Sequence, residues 1–165
     1  MTRPAPDPVG LNQESVWDFP RPSKAQPVSA HLVVILGGRT IAETRNGIRT
    51  IETSHPPTYY FPPEDIAPGV LRPSTGSSFC EWKGTARYFD VVAGGIVRLG
   101  AAWSYPRPTA SFAALIDHVA FYAEPMDGCF VDGERVEPQH GGFYGGWITS
   151  RQAGPFKGVA GSRGW

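Results

Sequence analysis

Apolar and polar residues alternate most clearly where the chain predicts paired β-strands. His31-Leu32-Val33-Val34-Ile35-Leu36 reads as a strand, Gly37-Gly38 supplies a tight turn, and Thr40-Ile41-Ala42-Glu43-Thr44 returns. Asn46-Gly47 is a second turn signal leading into Ile48-Arg49-Thr50-Ile51-Glu52-Thr53, so residues 31–53 predict a three-stranded antiparallel meander. The pattern recurs at Ala86–Val92, which runs into Gly94-Gly95 and returns over Ile96–Tyr105. In that returning strand Val97, Leu99, Ala101, Trp103 and Tyr105 share one face. Cys129–Val136 predicts a further hairpin turning at Asp132-Gly133.

Helical spacing is confined to one place. Phe112, Leu115, Ile116 and Val119 stand at i, i+3, i+4 and i+7 behind Pro108, with Thr109 or Ser111 as the cap. This predicts one main α-helix over about 110–118, ending where Val119-Ala120-Phe121-Tyr122 becomes strand-like. The expected fold is therefore mainly β: antiparallel hairpins and meanders forming a compact barrel- or tent-like domain with that single helix.

Three segments divide the chain. Residues 1–28 carry Pro4, Pro6, Pro8, Pro20, Pro22 and Pro27 and predict an extended arm anchored by Trp17 and Phe19. Residues 29–137 form the β-rich core domain. In residues 138–165 glycine alternates with Phe143, Tyr144, Trp147, Phe156 and Trp165, and such large rings gain by burial. That tail is expected to lie back on the core.

The 165 residues suffice for one domain with a real core, and 15 basic residues balance 15 acidic ones. Charge balance of this kind argues against duplex nucleic acid and against an anionic membrane as partners. No run approaches a membrane span, and Met1-Thr2-Arg3-Pro4 begins no apolar signal. Cys80 and Cys129 form no CxxC pair, which predicts reduced thiols and a cytoplasmic setting.

Candidate chemistry gathers in two blocks, Thr53-Ser54-His55-Pro56-Pro57-Thr58-Tyr59-Tyr60-Phe61-Pro62 and Phe79-Cys80-Glu81-Trp82-Lys83-Gly84. Proline fixes φ and extends its neighbour, so His55 and Tyr59 stand on a stiff scaffold. Glu52 and His55 either exchange a proton at a site or serve as a polar strand residue and a loop brace. Tyr59 and Tyr60 face opposite ways in an extended chain, so at most one lines a pocket. Lys83 can lower the pKa of Cys80 to give a nucleophilic thiolate, or the sulfur is an inert core thiol. Only Lys24, Lys83 and Lys157 are lysines, which marks Lys83, between Trp82 and Gly84, as an anion contact. Trp103, Tyr105 and Trp147 either stack on a planar ligand or pack a core.

The four histidines have no metal-ligand spacing, so no metal site and no cofactor is predicted, with a divalent metal left open. Gly37-Gly38, Gly94-Gly95 and Gly141-Gly142 lack a phosphate-loop pattern.

The run from Glu52 to Pro62, the Cys80–Gly84 block, Ala102-Trp103-Ser104-Tyr105-Pro106 and His118–Tyr122 resemble the family called domain of unknown function 427. Pro138-Gln139, Gly141–Thr149, Gly154–Gly158 and Gly164-Trp165 resemble its longer variant. The resemblance implies a small, mainly β domain that carries a nucleotidyltransferase label. It supplies no catalytic residues to carry over, and Asp132-Gly133-Glu134, the nearest approach to a D-x-D carboxylate pair, reads as a turn.

The expectation is a pocket for a small anionic ligand, a nucleotide among the candidates. Glu52, His55 and Lys83 are its catalytic candidates. Tyr59, Tyr60, Cys80, Trp82, Lys83, Trp103, Tyr105 and Trp147 are its binding candidates. The alternative is a non-catalytic interaction module, with the chain a monomer or a homodimer through the same aromatic surface. An enzyme of this kind would be a transferase or a hydrolase.

Overall fold

The computed structural model describes residues 3–165, so Met1 and Thr2 of the expected arm lie outside the described residues. β1 (Glu14–Ser15), a 3-10 turn at Val16–Asp18 and β2 (Lys24–Pro27) open the chain. β3 (Leu32–Leu36), β4 (Arg39–Thr44), β5 (Ile48–Ile51) and β6 (Thr58–Tyr60) follow. A long antiparallel run then comprises β7 (Leu71–Cys80), β8 (Gly84–Ala93) and β9 (Ile96–Ser104). β10 (Val119–Phe121), β11 (Gly128–Val131) and β12 (Glu134–Arg135) lead into the tail, which adds β13 (Glu137–Pro138), β14 (Trp147–Ile148) and β15 (Gln152–Ala153).

The fold is mainly β, as the alternation predicts, but its sheets stay open rather than closing into a barrel. One sheet orders β10-β9-β8-β7, a second β12-β11-β3-β4, and a third β2-β5-β6. The two long sheets enclose the main core, which includes Leu32, Val34, Leu36, Phe61, Val91, Phe121 and Trp147. The two Gly-Gly turns meet there back to back. A Cβ on Gly37 would come within 2.5 Å of the Ala93 carbonyl oxygen, and one on Gly94 within 2.8 Å of that of Gly37. Glycine is required at both because backbone abuts backbone and both φ angles are positive.

The meander expected over 31–53 breaks at its second turn. β3 pairs with β4, but β5 pairs with β2 and β6 instead. Gly47 makes the corner: its carbonyl accepts from the Val28 amide at 2.9 Å, and Leu32 and Tyr60 crowd its Cα. The residues expected to end the extended arm thus donate a strand, β2, to the third sheet. Trp17 and Phe19 are buried with Val16 and Ile51 in a small separate cluster.

The helix expected over 110–118 is a correction. Ala110–Leu115 forms 3-10 turns, kinked at Phe112, whose φ is −117°. The capping hydroxyl is diverted, since Thr109 Oγ1 donates to the Trp82 carbonyl at 2.5 Å and its amide donates to that of Lys83. Only a few residues remain before β10, too few for stable α-helical propagation. The long face expected on β9 is also interrupted. Gly100 has φ +58° and donates its amide to Asp90 Oδ1 at 2.8 Å, at a register shift between β8 and β9. Val97 and Leu99 therefore face solvent, whereas Trp103 and Tyr105 are buried.

No helix among the described residues is long and apolar enough to cross a membrane.

Candidate functional site

Strand alternation selects the side chains that meet at the third sheet. β2 pairs antiparallel with β5, placing Lys24 opposite Ile51 and Ala25 opposite Thr50. Thr50 and Glu52 therefore share one face while Ile51 turns to the cluster of Trp17 and Phe19. Tyr60, on β6, lines the same chamber as Thr50 and Glu52. On the β7–β8 hairpin Ser78 opposes Ala86 and Cys80 opposes Gly84, and Ser78, Cys80, Ala86 and Tyr88 line that space from the other side. Trp103 and Tyr105 complete this wall, and Gln139, Tyr144 and Lys157 of the tail close the chamber, whose volume is about 340 Å³.

Glu52, His55, Tyr60, Cys80, Lys83, Trp103 and Tyr105 thus come together from separate parts of the chain. Three expected members stand elsewhere. Tyr59 is buried in the core with its ring 5.5 Å from that of Trp147, since alternation turns it away from Tyr60. Trp147 is a core residue: its Nε1 donates to the Phe121 carbonyl at 3.0 Å. Trp82 sits in the β7–β8 turn and packs against the cluster beneath the chamber without lining it.

A turn positions the acid and the imidazole. The His55 amide donates to the Glu52 carbonyl at 3.0 Å, and Ser54 between them takes φ +73°. His55 Nε2 then lies 3.5 Å from Glu52 Oε2. On the ring's other side Gln139 Nε2 approaches Nδ1 at 3.1 Å. Gln139 is fixed in orientation, because its Oε1 accepts from the Gly146 amide and its Nε2 also donates to the Lys157 carbonyl at 2.8 Å. It therefore donates to Nδ1, which places the ring proton on Nε2, facing the carboxylate. Tyr144 covers the imidazole edge-on, at 5.1 Å between ring centres.

Burial acts on the two groups in opposite directions, whereas the nearby positive charges lower both. Burial lowers His55 to about 4, and the charges of Lys157, Arg21 and Lys83 act the same way. Burial raises Glu52, against the opposing pull of Lys83, Arg21 and Lys157. At neutral pH the imidazole is neutral, with Nδ1 taken by Gln139 and Nε2–H turned to the carboxylate.

This has a measurable consequence. The unfolded chain takes up the His55 proton near pH 6.5, while the folded protein resists it until about 4. Stability contributed by the neutral ring is full above pH 6.5 and declines as pH falls through that window, by about 3 kcal/mol in all. Urea unfolding of wild type against His55→Gln at pH 7.5 and 4.5 should show the variant losing less stability on acidification. Parallel losses would contradict the account.

Lys83 is held by the hairpin turn, its carbonyl accepting from the Thr109 amide. Its ammonium lies 3.9 Å from Cys80 Sγ and 5.6 Å from the centre of the Phe112 ring. Lys157 donates to the Trp165 carbonyl at 3.2 Å and stands 5.9 Å from the Tyr144 ring centre, leaving donors free for a ligand. The chamber also holds a buried hydroxyl without a partner, Ser23 Oγ, on a residue only 7% exposed. Burial raises the phenols of Tyr60 and Tyr105, so both remain protonated donors at neutral pH.

Gln139, Tyr144 and Lys157 escaped sequence reasoning because no local pattern ties them to His55. The available signal was the scarcity of lysine, which marks Lys157 as it marks Lys83. Among the described residues no group of three His, Cys, Asp or Glu side chains could hold a metal ion. Asp132 forms the β11–β12 turn at φ +48°, and its carboxylate accepts from the His31 amide and pairs with Arg151 at 2.6 Å. Glu134 accepts from Ser150. Those two carboxylates brace loops away from the chamber. Cys80 and Cys129 are both free thiols, and burial raises that of Cys129.

An open, mainly β domain with an aromatic-walled chamber, two lysines and a half-buried acid–imidazole pair is the class these features define. The chain belongs to the family described as a domain of unknown function (DUF427), NTP_transf_9, whose model matches residues 24–132. The match takes in Glu52, His55, Cys80, Lys83 and Tyr105, whereas Gln139, Tyr144 and Lys157 lie beyond it. No curated protein matches the sequence.

Proposed function

We propose that the chamber binds a small anionic ligand of phosphate character, a nucleotide among the candidates, between Lys83 and Lys157. The observation that carries this reading is that both lysines, drawn from distant parts of the chain, line one chamber with the half-buried Glu52–His55 pair. A partly desolvated pair of cations with free donors is suited to an anion. The ring-lined walls exclude water and strengthen that attraction. Ser23 Oγ gives the ligand a further hydrogen bond. In a group-transfer or hydrolytic step, Glu52 would accept the nucleophile's proton, while His55, its Nδ1 held by Gln139, would orient that carboxylate through Nε2–H.

Titration with inorganic pyrophosphate and with nucleotides, followed by thermal unfolding, tests the reading. The midpoint should rise with ligand and the rise should shrink as salt increases. No shift with any of these anions would overturn it.

Exposed rings at the mouth favour one second reading. Phe79 and Phe143 line the chamber's rim and are 76% and 70% exposed. The same rim would then bury against a second copy of the chain. Sedimentation showing a dimer that Phe79→Ser with Phe143→Ser dissolves would support that reading, and a monomer at all concentrations would reject it.

A further inference from the structure

A second cavity adjoins the chamber across a wall of side chains. It measures about 560 Å³ and is lined by Leu99, Ala101, Tyr122, Pro125 and Pro138 among others. Tyr88, Tyr122, Gln139, Tyr144 and Gly145 line both spaces, so side chains and one glycine, rather than a sheet, separate them. The chemistry differs sharply across this wall. Lys83, Lys157, Glu52 and His55 all face the chamber, whereas among the described residues Glu124 at the exposed edge is the only charged one lining the cleft.

The partition is carried in part by the tail segment 141–145. Gly141 and Gly142 have φ of +103° and +68°, and Tyr122 Oη donates to the Phe143 carbonyl at 3.1 Å. Gly145 lies against Trp103 so closely that a Cβ would come within 2.1 Å of the indole, so the segment is seated by contact.

We propose that chamber and cleft are two subsites for one bipartite ligand, an aryl phosphate or similar ester. Its anionic end lies by Lys83 and Lys157. Its flat, uncharged ring passes Tyr122 and Tyr144 into the cleft, against Leu99, Ala101 and Pro125. The inference rests on the anion-binding reading of the chamber and adds where the organic part lies. Leu99 supports it directly: a leucine 80% exposed beside an apolar cleft gains by covering, and the shared walls make the ligand of the chamber its occupant.

Calorimetric titration with inorganic phosphate and with 1-naphthyl phosphate tests this on wild type, Leu99→Glu and Pro125→Glu. Both substitutions alter cleft residues outside the chamber. Naphthyl phosphate should bind wild type roughly tenfold or more tightly than phosphate, the difference expected for burying a ring. Each variant should cut that advantage to about threefold or less and leave phosphate affinity unchanged. Phosphate binding without an aryl gain, or a gain that survives both substitutions, overturns the bipartite site alone. Failure of both probes to bind wild type overturns the anion site as well.

Discussion

Replacing Lys83 and Lys157 together by methionine will weaken pyrophosphate binding by roughly a hundredfold or more. Each ammonium offers a charge-assisted hydrogen bond, and such bonds contribute about 1.5–3 kcal/mol apiece when partly shielded from water. Two of them correspond to about a hundredfold at the low end of that range. Methionine keeps much of each aliphatic stem, so packing of residue 83 over Phe112 is largely retained and the loss reports charge. Lys24→Met is the control, because Lys24 is exposed on β2 and lines no part of the chamber. Calorimetry should show single variants with intermediate losses and the control unchanged. A loss below about threefold in the double variant would mean that the anion sits elsewhere.

Trp147→Ala will cost about 3–5 kcal/mol of stability, enough to unfold a large fraction of a marginal domain. Trp147 is 1% exposed, and its ring lies among Tyr59, Phe61 and the main core. Truncation opens a cavity and leaves the Phe121 carbonyl without its indole donor. The tail is also pinned here, since the Trp147 amide donates to the Pro57 carbonyl at 2.8 Å. Loss of this anchor should loosen the segment that carries Tyr144. Urea unfolding followed by circular dichroism measures the effect, with Trp147→Phe expected to lose distinctly less. A loss under about 1 kcal/mol would place Trp147 at a surface rather than in the core.

The turns were legible because they have local causes. Gly37-Gly38, Gly94-Gly95 and Asp132-Gly133 all take positive φ in the structure, and each joins strands read from alternation. Asn46-Gly47 has the same signature yet sends the chain to another sheet, because the Val28 amide and the bulk of Leu32 decide its course. No window around residue 46 contains either. The 110–118 segment failed for a similar reason: its cap hydroxyl bonds Trp82, 27 residues away in sequence.

At the site, the local turn from Glu52 to His55 and the Cys80–Lys83 turn could be read from proline, glycine and residue type. The ring pattern could not rank its members. Trp103 and Trp147 are both buried tryptophans, and only their tertiary neighbours separate a chamber wall from a core residue. The His55–Gln139 contact spans 84 residues, and it fixes the ring's tautomer and hence the direction of its proton. Short-range patterns carry no information on such a pair.

Amide chemical-shift mapping during a pyrophosphate titration tests the central claim most directly. The account predicts saturable shifts concentrated at Glu52–His55, Cys80–Lys83 and Lys157, reduced by added salt and abolished in the Lys83→Met, Lys157→Met protein. Shifts centred outside the chamber, or none at all, would contradict it.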